Sequence, residues 1–283
     1  MIDFTSNNTM LPGKFFKLCT TSFIFPDNII PNINKLGVFF DEIELLVFES
    51  QPEEVLPSRD DINELAYLSQ KYDLTYNIHL PIDVSLTHES SDKRVKASDT
   101  IFQVMELFMP LTPSTYTLHL DMPSDINIGN SIANQIRIKK WQERSRQGLE
   151  TLLFKIPNPD IISIETLDYP FDLVEPFIDE FNLSVCIDAG HQIKYNYNLI
   201  KTFDTHQSRT PVIHLHGVDF SGHKIKDHTS LDKLPEQYIS QLKTILNNYT
   251  GVVSLEVFNL ENLNKSLFLL QKIFFKEYSS NNN

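Results

Sequence analysis

Short apolar runs rich in β-branched residues alternate with longer amphipathic stretches along this chain. The runs cover residues 16–23, 42–49 (EIELLVFE), 74–80 (LTYNIHL), 115–121 (TYTLHLD), 161–167 (IISIETL), 183–188 (LSVCID), 210–217 (TPVIHLHG) and 251–258 (GVVSLEVF). Each has the length and composition of a strand buried on both faces. Between them, residues 60–72, 95–108, 136–154, 173–181, 238–249 and 260–275 repeat apolar positions at helical spacing. In the first of these stretches Ile62, Leu65, Ala66 and Leu68 share a face, and Asp60 or Asp61 can cap its start. Eight strands with helices between them predict an α/β fold, a single closed (β/α)8 barrel. A doubly wound open sheet is the alternative. It usually brings a glycine-rich first turn, whereas this chain has 8 glycines and neither a G-x-G-x-x-G nor a Walker sequence.

The whole chain, residues 1–283, reads as one barrel domain with a short N-terminal arm (1–14) and a disordered tail (279–283). Polar loops at 122–134 and 220–234 follow the fourth and seventh strands, on the face where barrel loops carry function. Apolar residues make up 41% of the chain, enough for a sizeable core. Lys and Arg number 24 against 37 Asp and Glu, a net charge of −13, which argues against a protein that lives by phosphate-backbone contacts. Cys19 and Cys186 each lie in an apolar run and read as buried thiols in a reducing compartment. No apolar run reaches the length of a membrane span and the first ten residues lack a signal core, so the expected location is the cytoplasm.

Chemistry gathers at the strand ends. Glu49, His79, His119 with Asp121, Glu165, Asp188 with His191, His214 with His216, and Glu256 stand at the ends of seven consecutive runs. So many titratable groups at one barrel mouth would crowd like charges, and bound divalent metal compensates them. His214 and His216 share strand parity and can both face the lumen. Asp227 and His228 lie in a loop, with Lys224 and Lys226 nearby, that can close over the site and add a ligand. With no cysteine pair available, imidazole and carboxylate ligands suit zinc, manganese or iron. His88 and His206 read as surface residues, His223 as a possible substrate contact and Trp141 as packing.

The series His79, His119, Glu165, Asp188, His191, His214, His228 and Glu256 resembles the metal-site series of the xylose-isomerase-like barrels. That superfamily holds endonuclease-IV-type nucleases and sugar epimerases, and a set with both His119 and His191 is similar to its three-zinc phosphodiesterase branch. Residues 46–50 (LVFES), 79–86 (HLPIDVSL), 164–177 (IETLDYPFDLVEPF), 183–191 (LSVCIDAGH), 212–219 (VIHLHGVD), 227–231 (DHTSL) and 254–258 (SLEVF) resemble the cobamide-remodelling phosphodiesterases of that superfamily. The resemblance spans residues 19–258.

It implies a hydrolase that cleaves a phosphoester in the nucleotide loop of cobamides such as adenosylcobalamin. The lower-ligand riboside is released, and a cobinamide form remains for corrinoid salvage. It implies two to three divalent ions per chain. His79, His119 and Glu165 would hold the first, and Glu165 would bridge to a second on Asp188, His214 and Glu256. His191, His228 and a nearby carboxylate would hold a third. Lys226 stands where the nucleases carry an aspartate, with Asp227 adjacent to His228 instead.

Clustered ions activate water for in-line attack on a phosphodiester and stabilise the entering and leaving oxygens. Glu165, His216 and His228 are the catalytic candidates. Glu49, Asp168, His216, His223 and Lys224 are the candidates for binding phosphate, ribose or corrin amides. The expected partner is a small corrinoid, with no nucleic acid, membrane or obligate protein partner. The other readings are a one-metal sugar or sugar-phosphate isomerase or epimerase, a DNA repair endonuclease, and a catalytically silent corrinoid-binding barrel.

Overall fold

The computed structural model describes residues 11, 14–50, 55–126, 128 and 131–280. The strands are β1 (Lys17–Thr21), β2 (Glu42–Leu46), β3 (Thr75–His79), β4 (Tyr116–Leu118), β5 (Ile162–Glu165), β6 (Ser184–Asp188), β7 (Val212–Leu215), β8 (Gly217–Asp219), β9 (Lys226–Thr229) and β10 (Val252–Leu255). Eight of them close into a barrel in the order β1-β10-β7-β6-β5-β4-β3-β2, every neighbour parallel. The predicted barrel is therefore present, and the open sheet is not. The remaining pair, β8 and β9, forms an antiparallel hairpin.

Each barrel strand is shorter than its apolar run. The run 42–49 leaves the ladder after Leu46, and the run 251–258 contributes only Val252–Leu255. Just beyond those points Val47 and Val257 are still buried, whereas Glu49 is exposed.

The helices are α1 (Ile29–Leu36), α2 (Arg59–Tyr72), α3 (Ser91–Phe108), α4 (Ile132–Leu153), α5 (Glu175–Glu180), α6 (Ala189–Lys194), α7 (Leu199–His206), α8 (Glu236–Leu246) and α9 (Leu260–Ser280). Periodicity missed α1, α6 and α7, which have eight residues or fewer and too few turns for an apolar stripe to repeat. The loop predicted at 220–234 contains β9. In the predicted tail, Ser279 and Ser280 belong to α9, while 281–283 lie outside the described residues. Of the predicted arm, residues 1–10, 12 and 13 also lie outside them; Leu11 is buried and Lys14 pairs with Asp41.

Ser58, not Asp60 or Asp61, caps α2. Its hydroxyl accepts from the Asp61 N–H at 3.2 Å, and the Asp61 carboxylate accepts from the Ser58 N–H at 2.8 Å. This reciprocal pair satisfies two orphan donors at the helix start. Ser58→Ala is expected to cost about 1 kcal/mol in urea unfolding.

His206, read as a surface residue, is buried at the end of α7. Its Nε2 lies 3.3 Å from Glu175, and its ring packs edge-on against Phe171 at 5.2 Å. Trp141 is fully buried and donates to the Asp121 carbonyl at 2.9 Å, as expected of a packing residue with one polar atom. It thereby fixes the chain just beyond β4, where His119 stands.

The lumen of the barrel carries both apolar and polar side chains. Cys19, Cys186, Val212 and Val252 form an apolar layer separate from the main core, both cysteines being buried free thiols. The buried side chains of Glu42, Glu44, Asn77, Thr117, Ser163 and Ser254 share strand parity with this layer or with the site residues.

Candidate metal centre

The parallel register brings the strand-end residues together. Glu165 pairs with Cys186 across β5 and β6, and Asp188 pairs with His214 across β6 and β7. Neighbouring strands thus present their ligand-type side chains at similar heights. His79 closes β3, His119 lies one residue past β4, Glu165 closes β5, Asp188 closes β6, and Glu256 follows β10. Asp188 also caps α6, its carboxylate accepting from the His191 N–H at 2.7 Å. This cap turns the chain at Ala-Gly and sets His191 Nδ1 3.4 Å from Glu165.

Glu165 is the hub. Its Oε2 accepts from His119 Nε2 at 2.9 Å and lies 3.3 Å from His79 Nε2. Its Oε1 lies 3.4 Å from His191 Nδ1 and 3.7 Å from His214 Nδ1. Glu256 Oε2 lies 3.3 Å from His214 Nδ1 and 3.8 Å from His228 Nδ1. His216 Nε2 lies 3.2 Å from Asp188 Oδ1, and the His216 and His228 rings sit 4.1 Å apart.

These contacts sort into sets whose ligand atoms all lie within 4.8 Å of one another: His79, His119 and Glu165; Glu165, Asp188, His214 and Glu256; His191, His216 and His228. The thiol of Cys186 forms a further such set with Glu165 and His214. The first two sets are those the sequence resemblance implies, with Glu165 common to both. The third differs, because His216 supplies the group for which a carboxylate was expected. Asp227, proposed as a ligand, instead pairs with Lys194 of α6 and enters none of these sets. That ion pair neutralises a half-buried carboxylate and ties the hairpin to α6.

His228 occupies the left-handed region at φ 48, unusual for a residue with a Cβ. Three hydrogen bonds hold it there. Its N–H donates to His216 Nδ1 at 3.0 Å, its ring Nδ1 meets the Glu256 carbonyl at 3.2 Å, and its own carbonyl accepts from Asn262 at 3.3 Å.

The electrostatics are those of a site built around cations. Burial alone would lower the pKa of His119 and His191, yet both are pushed up to about 10, His119 chiefly by Glu165 and His191 chiefly by Asp188. Burial would raise Glu165, but His119 and His214 hold it well below the usual carboxylate range. Protons and a divalent ion compete for the same atoms in such a cluster. Among the described residues, Asp188 Oδ2, both nitrogens of His214, His216 Nε2 and Glu256 Oε2 are buried without a hydrogen-bond partner. Buried polar atoms are normally satisfied, and nitrogen and oxygen donors of this kind fit zinc, manganese or iron.

Apart from His216, the substrate candidates are exposed. Glu49 and Asp168 are exposed on loops, the Asp168 carbonyl accepting from Tyr197 at 3.1 Å. His223 and Lys224 are exposed between β8 and β9. An aromatic row that the sequence reading did not single out runs from Phe23 through Phe48 and Phe258 to His228, with ring centroids 5.9, 5.9 and 4.9 Å apart. Glu44, buried on β2, is a further residue that the sequence pattern did not single out. The alternation of acidic and apolar residues in Glu42-Ile43-Glu44 was its signal, since parity puts both carboxylates on one face.

The closed parallel barrel thus gathers, at its strand ends, sets of ligand-type residues that could hold divalent metal. The chain belongs to the xylose isomerase-like TIM barrel family, whose model matches residues 30–273. None of the curated proteins compared matches the chain in sequence. Among solved structures it is similar to a D-tagatose 3-epimerase-like protein, at 18% identity and TM-score 0.72, covering 94% of this chain and 99% of that one. It is also similar to D-psicose 3-epimerase with D-tagatose from Clostridium cellulolyticum H10, at 16% identity and TM-score 0.61, covering 93% and 99%. A third is the probable 3-DHS dehydratase AsbF of Bacillus anthracis, at 13% identity and TM-score 0.63, covering 90% and 98%. At these identities the likeness is one of fold. Among the described residues, no helix is long and apolar enough to cross a membrane.

Proposed function

We propose that this protein is a metal-dependent phosphodiesterase that hydrolyses a phosphoester in the nucleotide loop of cobamides. The carrying observation is the third set, His191, His216 and His228, beside the two sets that share Glu165. A one-metal enzyme needs only one such set, whereas clustered ions serve phosphoryl transfer. Bound divalent ions supply an activated water and stabilise charge on the entering and leaving oxygens. Hydrolysis forms one P–O bond to that water and breaks one P–O ester bond.

The protein's own share is positional. Glu165 spans two ligand sets and fixes their spacing. Asp188 both caps α6 and faces His216, so strand and helix are held in one geometry. His228, constrained by its three hydrogen bonds, presents its ring without searching conformations. His216, His223 and Lys224 are proposed to meet the free phosphate oxygen, and Glu49 and Asp168 the ribose hydroxyls or corrin amides. No nucleic acid, membrane or obligate protein partner enters this reading, and the proposed location is the cytoplasm.

A second reading, a one-metal sugar epimerase or isomerase, rests on the named neighbours, several of which are sugar epimerases. These comparisons favour it over cobamide hydrolysis. The set Glu165, Asp188, His214 and Glu256 alone would suffice for it.

One incubation separates the two. Metal-replete protein with adenosylcobalamin, without oxygen or light, is expected to yield α-ribazole and a cobinamide phosphate by mass. Unchanged cobamide with ions confirmed bound would overturn the proposal. A single bound ion, with epimerisation of a ketohexose, would establish the second reading.

A further inference from the structure

The lumen face of β2 carries two buried carboxylates, Glu42 and Glu44, that the chemistry above does not use. Their surroundings differ. Glu42 is saturated: Oε1 accepts from Asn77 at 2.9 Å and Ser114 at 2.5 Å, and Oε2 accepts from Thr75 at 2.5 Å with Lys17 at 3.7 Å. Glu44 Oε2 accepts from Ser254 Oγ at 2.5 Å. Among the described residues, Glu44 Oε1 has no hydrogen-bond partner, and no Lys or Arg pairs with this carboxylate. What faces it, 3.0 Å away, is His214 Nε2, a nitrogen equally without a partner.

His214 thus spans two groups. Its Nδ1 points into the ligand set, 3.3 Å from Glu256 and 3.7 Å from Glu165, and its Nε2 points at Glu44. The third member of this arrangement, Ser254, pairs in register with His214 across β7 and β10, so it holds Glu44 at the height of that ring. A buried carboxylate with one oxygen unpaired is disfavoured unless a donor or a charge answers it. A ring bound through Nδ1 carries its proton on Nε2 and provides that donor.

We infer that Glu44 is a positioning residue for the metal centre. It holds His214 in the tautomer with the proton on Nε2, leaving the Nδ1 lone pair for a divalent cation. The inference rests on the metal reading above and adds to it a residue outside the ligand sets. Glu42, on the same face but already saturated, is its natural comparison.

The test is zinc affinity of the full chain, stripped and then titrated against a chromophoric chelator, alongside unfolding of the metal-free protein. Glu44→Gln keeps the volume and the acceptor for Ser254 but removes the charge. It is expected to weaken zinc binding by about 10–100-fold, the usual loss for an outer partner of a ligating histidine. Glu42→Gln is expected to bind like the wild type. The metal-free Glu44→Gln protein is expected to melt no lower than wild type.

Wild-type affinity in Glu44→Gln would overturn the inference. So would a metal-free melting temperature lowered in step with affinity, because that marks a packing role. Independently of any variant, the 15N shifts of His214 in the zinc-loaded wild type should place the proton on Nε2, and a proton on Nδ1 would also overturn it. A wild-type protein that binds no zinc would sink the metal reading itself, and this inference with it.

Discussion

Glu165→Gln is expected to lower turnover and ion binding more than any other conservative change in this chain. Glu165 is common to two ligand sets, so its loss weakens both at once. Losing even an outer partner of a ligand costs about 10–100-fold in metal affinity or activity, so a shared ligand should cost on the order of 100-fold or more. Gln fills the same volume, and the residue is buried, so the effect is chemical rather than a cavity.

Elemental analysis should find fewer divalent ions per chain than in the wild type. Thermal melts give a second readout. Zinc at about 100 times its dissociation constant stabilises a binding protein by roughly 2.7 kcal/mol, which for a chain of this size is roughly 5 °C or more. Wild-type protein should show that rise in full and Glu165→Gln only part of it, because the set of His191, His216 and His228 does not contain Glu165. Equal ion content and equal turnover in the two proteins would refute the metal centre.

Much of that centre was legible in the sequence for a simple geometric reason. In a parallel barrel the strand ends converge, so ligand-type residues at the ends of successive apolar runs must meet. His79, Glu165, Asp188 and His214 follow from this rule because they lie on the strands themselves. Glu49 does not, because β2 leaves the ladder at Leu46 and carries the chain outward before Glu49 is reached.

Where the reading failed, distant parts of the chain decide the outcome. Glu44 gains meaning from Ser254, 210 residues further along the chain, and from His214, 214 − 44 = 170 residues further along. Asp227 looked like a ligand beside His228, but Lys194 on α6 claims its carboxylate. His206 looked exposed at a polar helix end, yet Glu175 and Phe171 cover it. The hairpin of β8 and β9 was hidden because strands this short carry no periodicity. Its pairing brings His228 to His216, twelve residues apart in the chain, and the two complete the third set with His191.

That third set rests on a glycine, which supplies the second large effect. A Cβ at Gly190 would fall 2.0 Å from His216 Cε1, 2.3 Å from its Nδ1 and 2.4 Å from its Nε2. The His216 ring packs directly against Gly190 in the first turn of α6, and no side chain fits between them. Gly190 thus explains the spacing between Asp188 and His191: one residue must be bare so that the imidazole of His216, just past β7, can pass.

Gly190→Ala is expected to push His216 away from His191 and His228 and to cost roughly 1–3 kcal/mol in stability, as overpacking does. The first two ligand sets contain neither His216 nor Gly190 and should keep their ions. The variant should therefore fold, lose the weakest of the bound equivalents, and fall in phosphodiester turnover by about 10–100-fold.

Gly222→Ala, in the exposed turn of the hairpin where the nearest atom would be 3.4 Å away, should change none of these. Ion content and turnover that stay at wild-type values in a folded Gly190→Ala protein would mean that His216 is not a ligand. The all-imidazole set, and with it the main argument for a hydrolase over an epimerase, would then fall.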